Sequence, residues 1–285
     1  RALRVLGAAY RPLDEENVPA VELEKDLIFT GFVGMIDPPR LEVKDSIEEC
    51  RQAGVQTVMI TGDHRITALA IARELNIAHE EVQTLEGADL DAMRDEELCE
   101  KVKTVRIFAR VSPAHKVRIV QALKHNGNIV SMTGDGVNDA PSLKAADIGV
   151  SMGITGTDVA KGASDMVLTD DNFSTIAAAV EEGRNIYKNI KKTITFLLSC
   201  NAGAIVAIFT SILFGWTPPL LPIHILWVNL ITDTFPALAL GMDPGDPEIM
   251  KYPPRDPEES LFAHGGGKNV IFNGILIGSL TLLAY

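Results

Sequence analysis

At positions 131–141 the sequence reads SMTGDGVNDAP. Two carboxylates, Asp135 and Asp139, stand four residues apart in a glycine-containing loop. That spacing lets both converge on one hard cation such as Mg2+, which prefers oxygen ligands. Gly134 and Gly136 permit a tight turn and a close approach of the backbone to a phosphate, and Asn138 adds a neutral donor beside them. The run before the loop has the composition of a strand and the run after it that of a helix. The loop therefore stands where open α/β sheets bind ligands, beyond the C-terminal end of a strand. A tight acidic turn capping a helix is written with the same residues.

A shorter echo, MITGD, occurs at 59–63. Thr61, Gly62 and Asp63 offer a hydroxyl and backbone N–H groups at another strand end that leads into a helix, where the N-terminus favours anions; a plain N-cap accounts for the same residues. Lys116 falls early in the helix after FARVSPAHK, where a lone lysine reads as a solvated charge. The order of the three features is more specific than any one of them. A strand-end threonine, a helix lysine and a strand-end acid pair resemble the series by which haloacid-dehalogenase-type phosphotransfer domains bind a phosphoryl group, neutralise it and hold its metal. The nucleophilic aspartate of such a domain, in a DKTGT or DxDxT motif, does not occur in this sequence. It is expected upstream of residue 1, so that this chain alone forms no phosphoenzyme.

A second set of polar residues sits in apolar surroundings. Asn201 lies within TITFLLSCNAGAIVAIFTSILFGW, and Asn229, Thr232 and Asp233 lie within LPIHILWVNLITDTFPALALG. Polar groups inside a membrane span are costly and mark ion or substrate pathways. Asn229 and Asp233 share a helix face at four-residue spacing, with Thr232 beside them. Pro222 and Pro236 favour a broken or unwound helix whose freed carbonyls join the oxygens around a cation. Hydrogen-bonding between helices is the other reading, above all for Asn201.

The elements that must position these residues follow from periodicity. Residues 1–30 hold a strand pattern and an acidic linker. From about 28 to 170, short β-branched runs alternate with amphipathic stretches, the pattern of a parallel sheet covered by helices. The strand candidates are IFTGFVGM, VQTVMI, RIFARV, NIVSMT and IGVSMG; the helix candidates are EVKDSIEECRQAG, RITALAIARELNI, AHKVRIVQALKHNG and APSLKAAD. Gly54 and Gly127 fall where left-handed C-terminal caps are expected. Beyond lie three apolar runs at about 194–215, 222–241 and 269–285, each suited to crossing a bilayer. Arg184, Lys188, Lys191 and Lys192 cluster before the first and place that end in the cytoplasm. No Gly or Pro interrupts Asn185 to Cys200, which suits a rigid rod. Core helices of a large soluble protein are the rival reading of these runs.

Composition narrows the function classes. A net charge of −12 with no long basic run argues against nucleic acid. Three widely spaced cysteines without a CxxC suggest neither disulfides nor zinc, and a reducing compartment for the soluble part. The chain opens on Arg inside a strand-like run and stops within an apolar one, so it is expected to be an internal piece of a longer protein.

With these residues in place, the chain resembles a type II P-type cation-transporting ATPase, most of all the calcium pumps of the sarcoplasmic-reticulum kind and their bacterial relatives. The markers are GMIDPPR at 34–40, MITGD, FARVSPAHK, MTGDGVNDAPSLKAADIGVSMG at 132–153, DNFSTI at 171–176 and WVNLITDTFPALALG at 227–241. The resemblance implies a haloacid-dehalogenase-like, Rossmann-like α/β phosphorylation domain over 31–183 lacking its first motif, preceded by the tail of a nucleotide-binding domain at 1–30 and followed by stalk and transmembrane helices at 184–285. It implies that Asp37 to Arg40 form a hinge, that Arg4 belongs to the nucleotide domain's last strand, and that Thr61, Gly62, Asp63, Arg110 and Lys116 handle ATP phosphates. Asp135 would bind Mg2+, Asn138 and Asp139 would support the phosphorylation site, and Asp139 would be a weaker Mg2+ ligand. Asn201, Asn229, Thr232 and Asp233 would bind the transported Ca2+, in the bilayer of a bacterial plasma membrane.

One departure matters. Two-ion calcium pumps carry a glutamate three residues after the fifth-helix asparagine, where this chain has Ala204. One Ca2+ per cycle is therefore expected. The single acid in NLITDTF argues against a Na+/K+ pump. Mn2+, Na+ or H+ as cargo, a membrane-tethered phosphatase and a non-enzymatic membrane module remain alternatives; protein partners are not legible.

Overall fold

The computed structural model describes residues 4–12, 25–35 and 40–285. The chain divides into two compact units, 1–51 with 56–174 and 52–55 with 175–285. The Asp37–Pro39 part of the expected hinge and the Arg4 side chain lie outside the described residues.

The first unit opens with strands β1, Arg4–Tyr10, and β2, Ile28–Met35, paired antiparallel with a bulge at Ala8/Ala9. This corrects the expectation that IFTGFVGM belongs to the parallel sheet. A strand inside a parallel sheet is covered on both faces, whereas Phe29, Phe32 and Val33 of β2 are exposed.

After helix α1, Leu41–Gln52, come β3, Met59–Ile60, and α2, Arg65–Glu74. They are followed by β4, Thr84–Glu86, α3, Gly87–Ala92, α4, Asp95–Lys101, β5, Ile107–Ala109, and α5, Pro113–His125. The unit continues with β6, Ser131–Gly134, α6, Ala140–Ala145, β7, Ile148–Met152, α7, Asp158–Ala163, and β8, Met166–Leu168. Gly54 and Gly127 adopt φ of 76° and 80°, the left-handed caps expected of them.

All pairing among β3 to β8 is parallel, in two three-stranded sheets ordered β3-β5-β4 and β6-β7-β8 rather than one. The hydrogen-bond ladder is interrupted between β3 and β6, but the apolar layer is continuous. Ile60 of β3 and Leu123 of α5 pack against Val120, Val130, Met132, Leu143 and Ala160, and both also pack against the neighbouring cluster around Leu90, Val105, Phe108 and Ile119. β5 is wholly buried, as a central parallel strand must be. Helix α5 starts where the sequence says it should. Ser112 and His115 form a capping box, and Pro113 opens the first turn.

The second unit holds helices α8, Phe173–Leu213, α9, Pro222–Trp227, α10, Thr234–Gly241, and α11, Gly266–Ala284. A π-helical turn, Val228–Thr232, joins α9 to α10. Three helical stretches, Phe173–Leu213, Pro222–Gly241 and Gly266–Ala284, are long and apolar enough to cross a membrane. Their exposed Ile, Leu and Phe side chains suit lipid rather than water. Helix α11 meets α8 through glycine, because a Cβ on Gly274 would stand 2.6 Å from the Ala202 Cβ and one on Gly278 2.8 Å from the Gly203 carbonyl oxygen. Small residues of this kind let membrane helices approach closely.

The loop after α10 is bound to the early part of α8. Arg184 donates to the carbonyls of Ile249, Tyr252 and Ala53, Lys188 pairs with Asp246 at 2.7 Å, Lys192 pairs with Asp243, and the Arg255 guanidinium lies 4.2 Å from the centre of the Tyr187 ring. The basic residues before the first apolar stretch thus have acidic and carbonyl partners in the loop after α10.

Candidate functional site

Two sites arise, one in each unit. In the first, β6 ends at Gly134 and a 3-10 turn, Val137–Asp139, leads into α6. The turn folds Asp139 back onto its own loop. Its Oδ2 accepts from the amides of Asp135 at 3.3 Å and Gly136 at 3.2 Å. Its Oδ1 accepts from Lys116 Nζ of α5 at 2.5 Å. Asp139 is buried, which disfavours its charge, but Lys116 and the two amides more than offset this and hold the carboxyl below its usual range. Only glycine fits at 134, since a Cβ there would lie 2.5 Å from the Asp139 Cβ.

Asp135 and Asn138 are exposed on the same loop. The Asp135 carbonyl accepts from the Thr157 amide, a contact invisible in the sequence, while its carboxylate makes no hydrogen bond or ion pair among the described residues. An exposed hard carboxylate at a strand end suits Mg2+. Asp139 suits it less as it stands, with both oxygens already taken by donors.

At the end of β3, the Thr61 hydroxyl accepts from the Asp63 amide at 3.1 Å and the Thr61 amide donates to the Phe108 carbonyl. Two bonds clasp this loop to the one after β5, from the Arg110 amide to the Asp63 carbonyl and from the Val111 amide to the Thr61 carbonyl. Arg110 adopts φ of 51°, a left-handed conformation uncommon outside glycine and retained where surroundings enforce it. Thr61, Gly62, Asp63 and Arg110 are thereby held together, with Gly62, Asp63 and Arg110 exposed.

Asp171, the first residue of DNFSTI, fastens a neighbouring loop. Its carboxylate accepts from the amides of Gly153, Ile154 and Thr155 and from the Thr155 hydroxyl, all at 2.7–2.9 Å. Burial works against its charge, but these donors prevail and hold the carboxyl at about 2. The Arg40 guanidinium donates to the Asp171 carbonyl.

In the second unit, Asp233 follows the π turn, its amide donating to the Val228 carbonyl. π-helical turns gather at functional sites. Asp233 is 5 % exposed. Asn229, Thr232 and Asn201 are exposed, and Asn201 lines an apolar groove with Leu198, Ala202, Ile205, Phe262 and Val270. Of the four residues expected to hold a transported ion, only Asp233 is buried.

The chain matches the family model of haloacid dehalogenase-like hydrolases over residues 5–147, and that of the cation-transporting ATPase C-terminus over 217–285. Calcium-transporting ATPase 1 of Bacillus cereus is 64 % identical over 284 residues, the calcium-transporting ATPase of Bacillus subtilis 54 % over 286, and calcium-transporting ATPase 1 of Saccharomyces cerevisiae 47 % over 285. These alignments cover 100 %, 100 % and 98 % of the chain but 32 %, 32 % and 30 % of the relatives, so the chain spans about a third of their length. The resemblance to P-type cation-transporting ATPases drawn from the motifs therefore extends over the whole chain. The parallel sheets, the TGDGVND loop and the paired Lys116 and Asp139 agree with the match over 5–147: the chain belongs to the haloacid dehalogenase-like hydrolase family, continued here by the membrane helices of a multi-pass protein.

Proposed function

We propose that this chain is the C-terminal part of an ATP-driven Ca2+ pump that works through an aspartyl-phosphate intermediate and exports Ca2+ from the cytoplasm across a bacterial plasma membrane. The observation that carries the reading is Asp233, a carboxylate at 5 % exposure on an apolar helix, with no basic partner among the described residues. A buried acid without such a partner needs a cation or a proton. The names of the relatives favour Ca2+ as that cation. In this reading residues 1–30 close a nucleotide-binding domain, 31–183 form the phosphorylation domain, and 184–285 form the stalk and membrane helices.

The roles follow from position. Mg2+, when bound, would neutralise phosphate charge at the Asp135 carboxylate. Lys116 places a second positive charge at the same loop, held in register by Asp139. Thr61, Gly62 and Asp63 present a hydroxyl and amides to the phosphates of ATP, with Arg110, Arg4 and Asn138 as further contacts. The attacking carboxylate comes from outside this chain. Asp233 binds the transported ion, with Asn201, Asn229 and Thr232 turning toward it when it is loaded. Ala204 in place of a carboxylate limits the cargo to one Ca2+ per cycle.

The test is nucleotide hydrolysis by the full-length protein in membranes across a panel of Ca2+, Mn2+, Na+ and H+. Ca2+-stimulated hydrolysis abolished by Asp233→Asn is expected. Hydrolysis indifferent to every cation and to Asp233→Asn would instead identify a membrane-tethered phosphatase.

A further inference from the structure

Between β7 and α7 the chain makes a tight loop, residues 153–157, anchored at both ends. One anchor is Asp171. Its carboxylate accepts the amides of Gly153 at 2.7 Å, Ile154 at 2.9 Å and Thr155 at 2.8 Å, together with the Thr155 hydroxyl at 2.8 Å. Asp171 does so at φ of 50°, a left-handed conformation that a residue other than glycine keeps where its surroundings enforce it. The other anchor is the loop after β6. There the Thr157 amide donates to the Asp135 carbonyl at 2.8 Å, while the Thr157 hydroxyl caps α7 by accepting from the Ala160 amide. Little slack remains between the two. A Cβ on Gly153 would stand 2.5 Å from the Leu168 carbonyl oxygen, and one on Gly156 would overlap the Met152 carbonyl oxygen.

We propose that Asp171 is a positioning residue for Asp135: through residues 153–157 it fixes the backbone from which the Asp135 carboxylate is presented to Mg2+. The role of Asp135 toward the metal rests on the reading given above. Within its own loop, the amides of Asp135 and Gly136 reach Asp139 at 3.3 and 3.2 Å; the bond from Thr157 is shorter and comes from outside. Mg2+ demands near-ideal octahedral geometry, so a carboxylate that ligates it must be held to within about 0.5 Å. The 153–157 loop supplies that restraint, and Asp171 is what holds the loop.

The test uses the full-length protein and two readouts. Amide hydrogen exchange of peptides spanning 131–139 and 150–157, taken without metal or nucleotide, reports on the restraint itself. Asp171→Asn keeps one oxygen but sets an NH2 group against amide donors, and should speed exchange at Asp135 and Gly136 about tenfold, along with that at 153–155. Thr157→Pro deletes the amide that bonds Asp135; Thr157 has φ of −71°, which proline adopts. Thr157→Ala loses the same hydroxyl cap but keeps the amide. Thr157→Pro should therefore speed exchange at Asp135 and Gly136 about fivefold beyond Thr157→Ala, the worth of one hydrogen bond. The second readout is the Mg2+ concentration that half-saturates nucleotide hydrolysis. It should rise about tenfold in Asp171→Asn, and in Thr157→Pro relative to Thr157→Ala, as for other groups that orient a metal ligand; a loss of folded protein would lower the maximal rate alone. Loosening confined to 153–155, or Thr157→Pro matching Thr157→Ala, overturns the proposal. So does exchange that loosens at Asp135 while the half-saturating Mg2+ stays where it was. An unsubstituted protein without Mg2+-dependent hydrolysis would instead sink the pump reading, and exchange would still decide whether Asp171 restrains Asp135.

Discussion

Replacing Lys116 by Met removes the ammonium that faces Asp139 while keeping most of the side chain's length. The two side chains are 19 % and 10 % exposed, and Nζ lies 2.5 Å from Oδ1. Breaking such a buried pair costs about 3–5 kcal/mol, because one charge is left without compensation. Asp139 keeps its two amide donors, so the low end of that range applies, about 3 kcal/mol. The pH dependence follows from the direction of the shift. The Asp139 carboxyl is depressed in the folded state from its ordinary value of 3.8. It therefore stabilises the fold at pH above that value and loses this contribution as pH falls through its lower folded value. At neutral pH the contribution is complete. Amide hydrogen exchange of peptides spanning 131–145 in the full-length protein reads the local opening. The expected loss of protection in Lys116→Met is on the order of a hundredfold, at 1.36 kcal/mol per factor of ten. The double variant Lys116→Met/Asp139→Asn should recover much of it, since an uncharged amide strands no charge. Effects that simply add across the two substitutions would refute the buried pair as the organiser of this loop.

Three further outcomes are expected. Gly134→Ala drives a methyl group into the Asp139 side chain, and should lower nucleotide hydrolysis by the full-length protein at least tenfold without changing its expression. Asp171→Ala frees the amides of Gly153, Ile154 and Thr155 and should raise their hydrogen exchange; in the unsubstituted protein that fastening is kept at neutral pH and lost only as pH falls toward about 2. Arg184→Lys should accelerate proteolysis of the 243–259 loop nearly as much as Arg184→Ala, because a single ammonium cannot reach three carbonyls presented to a planar fork.

The TGDGVND loop shows what a local pattern carries. Glycines, acids and the strand before them are fixed by short-range sterics and composition, so the turn and its place at a strand end were readable from 131–141 alone. The three apolar stretches were equally readable, because hydropathy over a bilayer's thickness is additive along the chain. The short elements β4, α3, α4, α7 and β8 were not anticipated. Each is six or fewer residues apart from α4, with seven, too brief for a period to emerge.

What the sequence by itself determined is the glycine-containing loops at strand ends, the apolar helices and the order of both. Only the tertiary structure decided that β2 pairs with β1, that Asp139 turns to Lys116 rather than outward like Asp135, and that Asp233 is buried while Asn201 faces an apolar groove. The first two depend on partners 18 to 31 residues away, and the third on which face a π turn presents. Such choices are settled by packing and charge compensation across the fold, to which the spacing of neighbouring residues is blind.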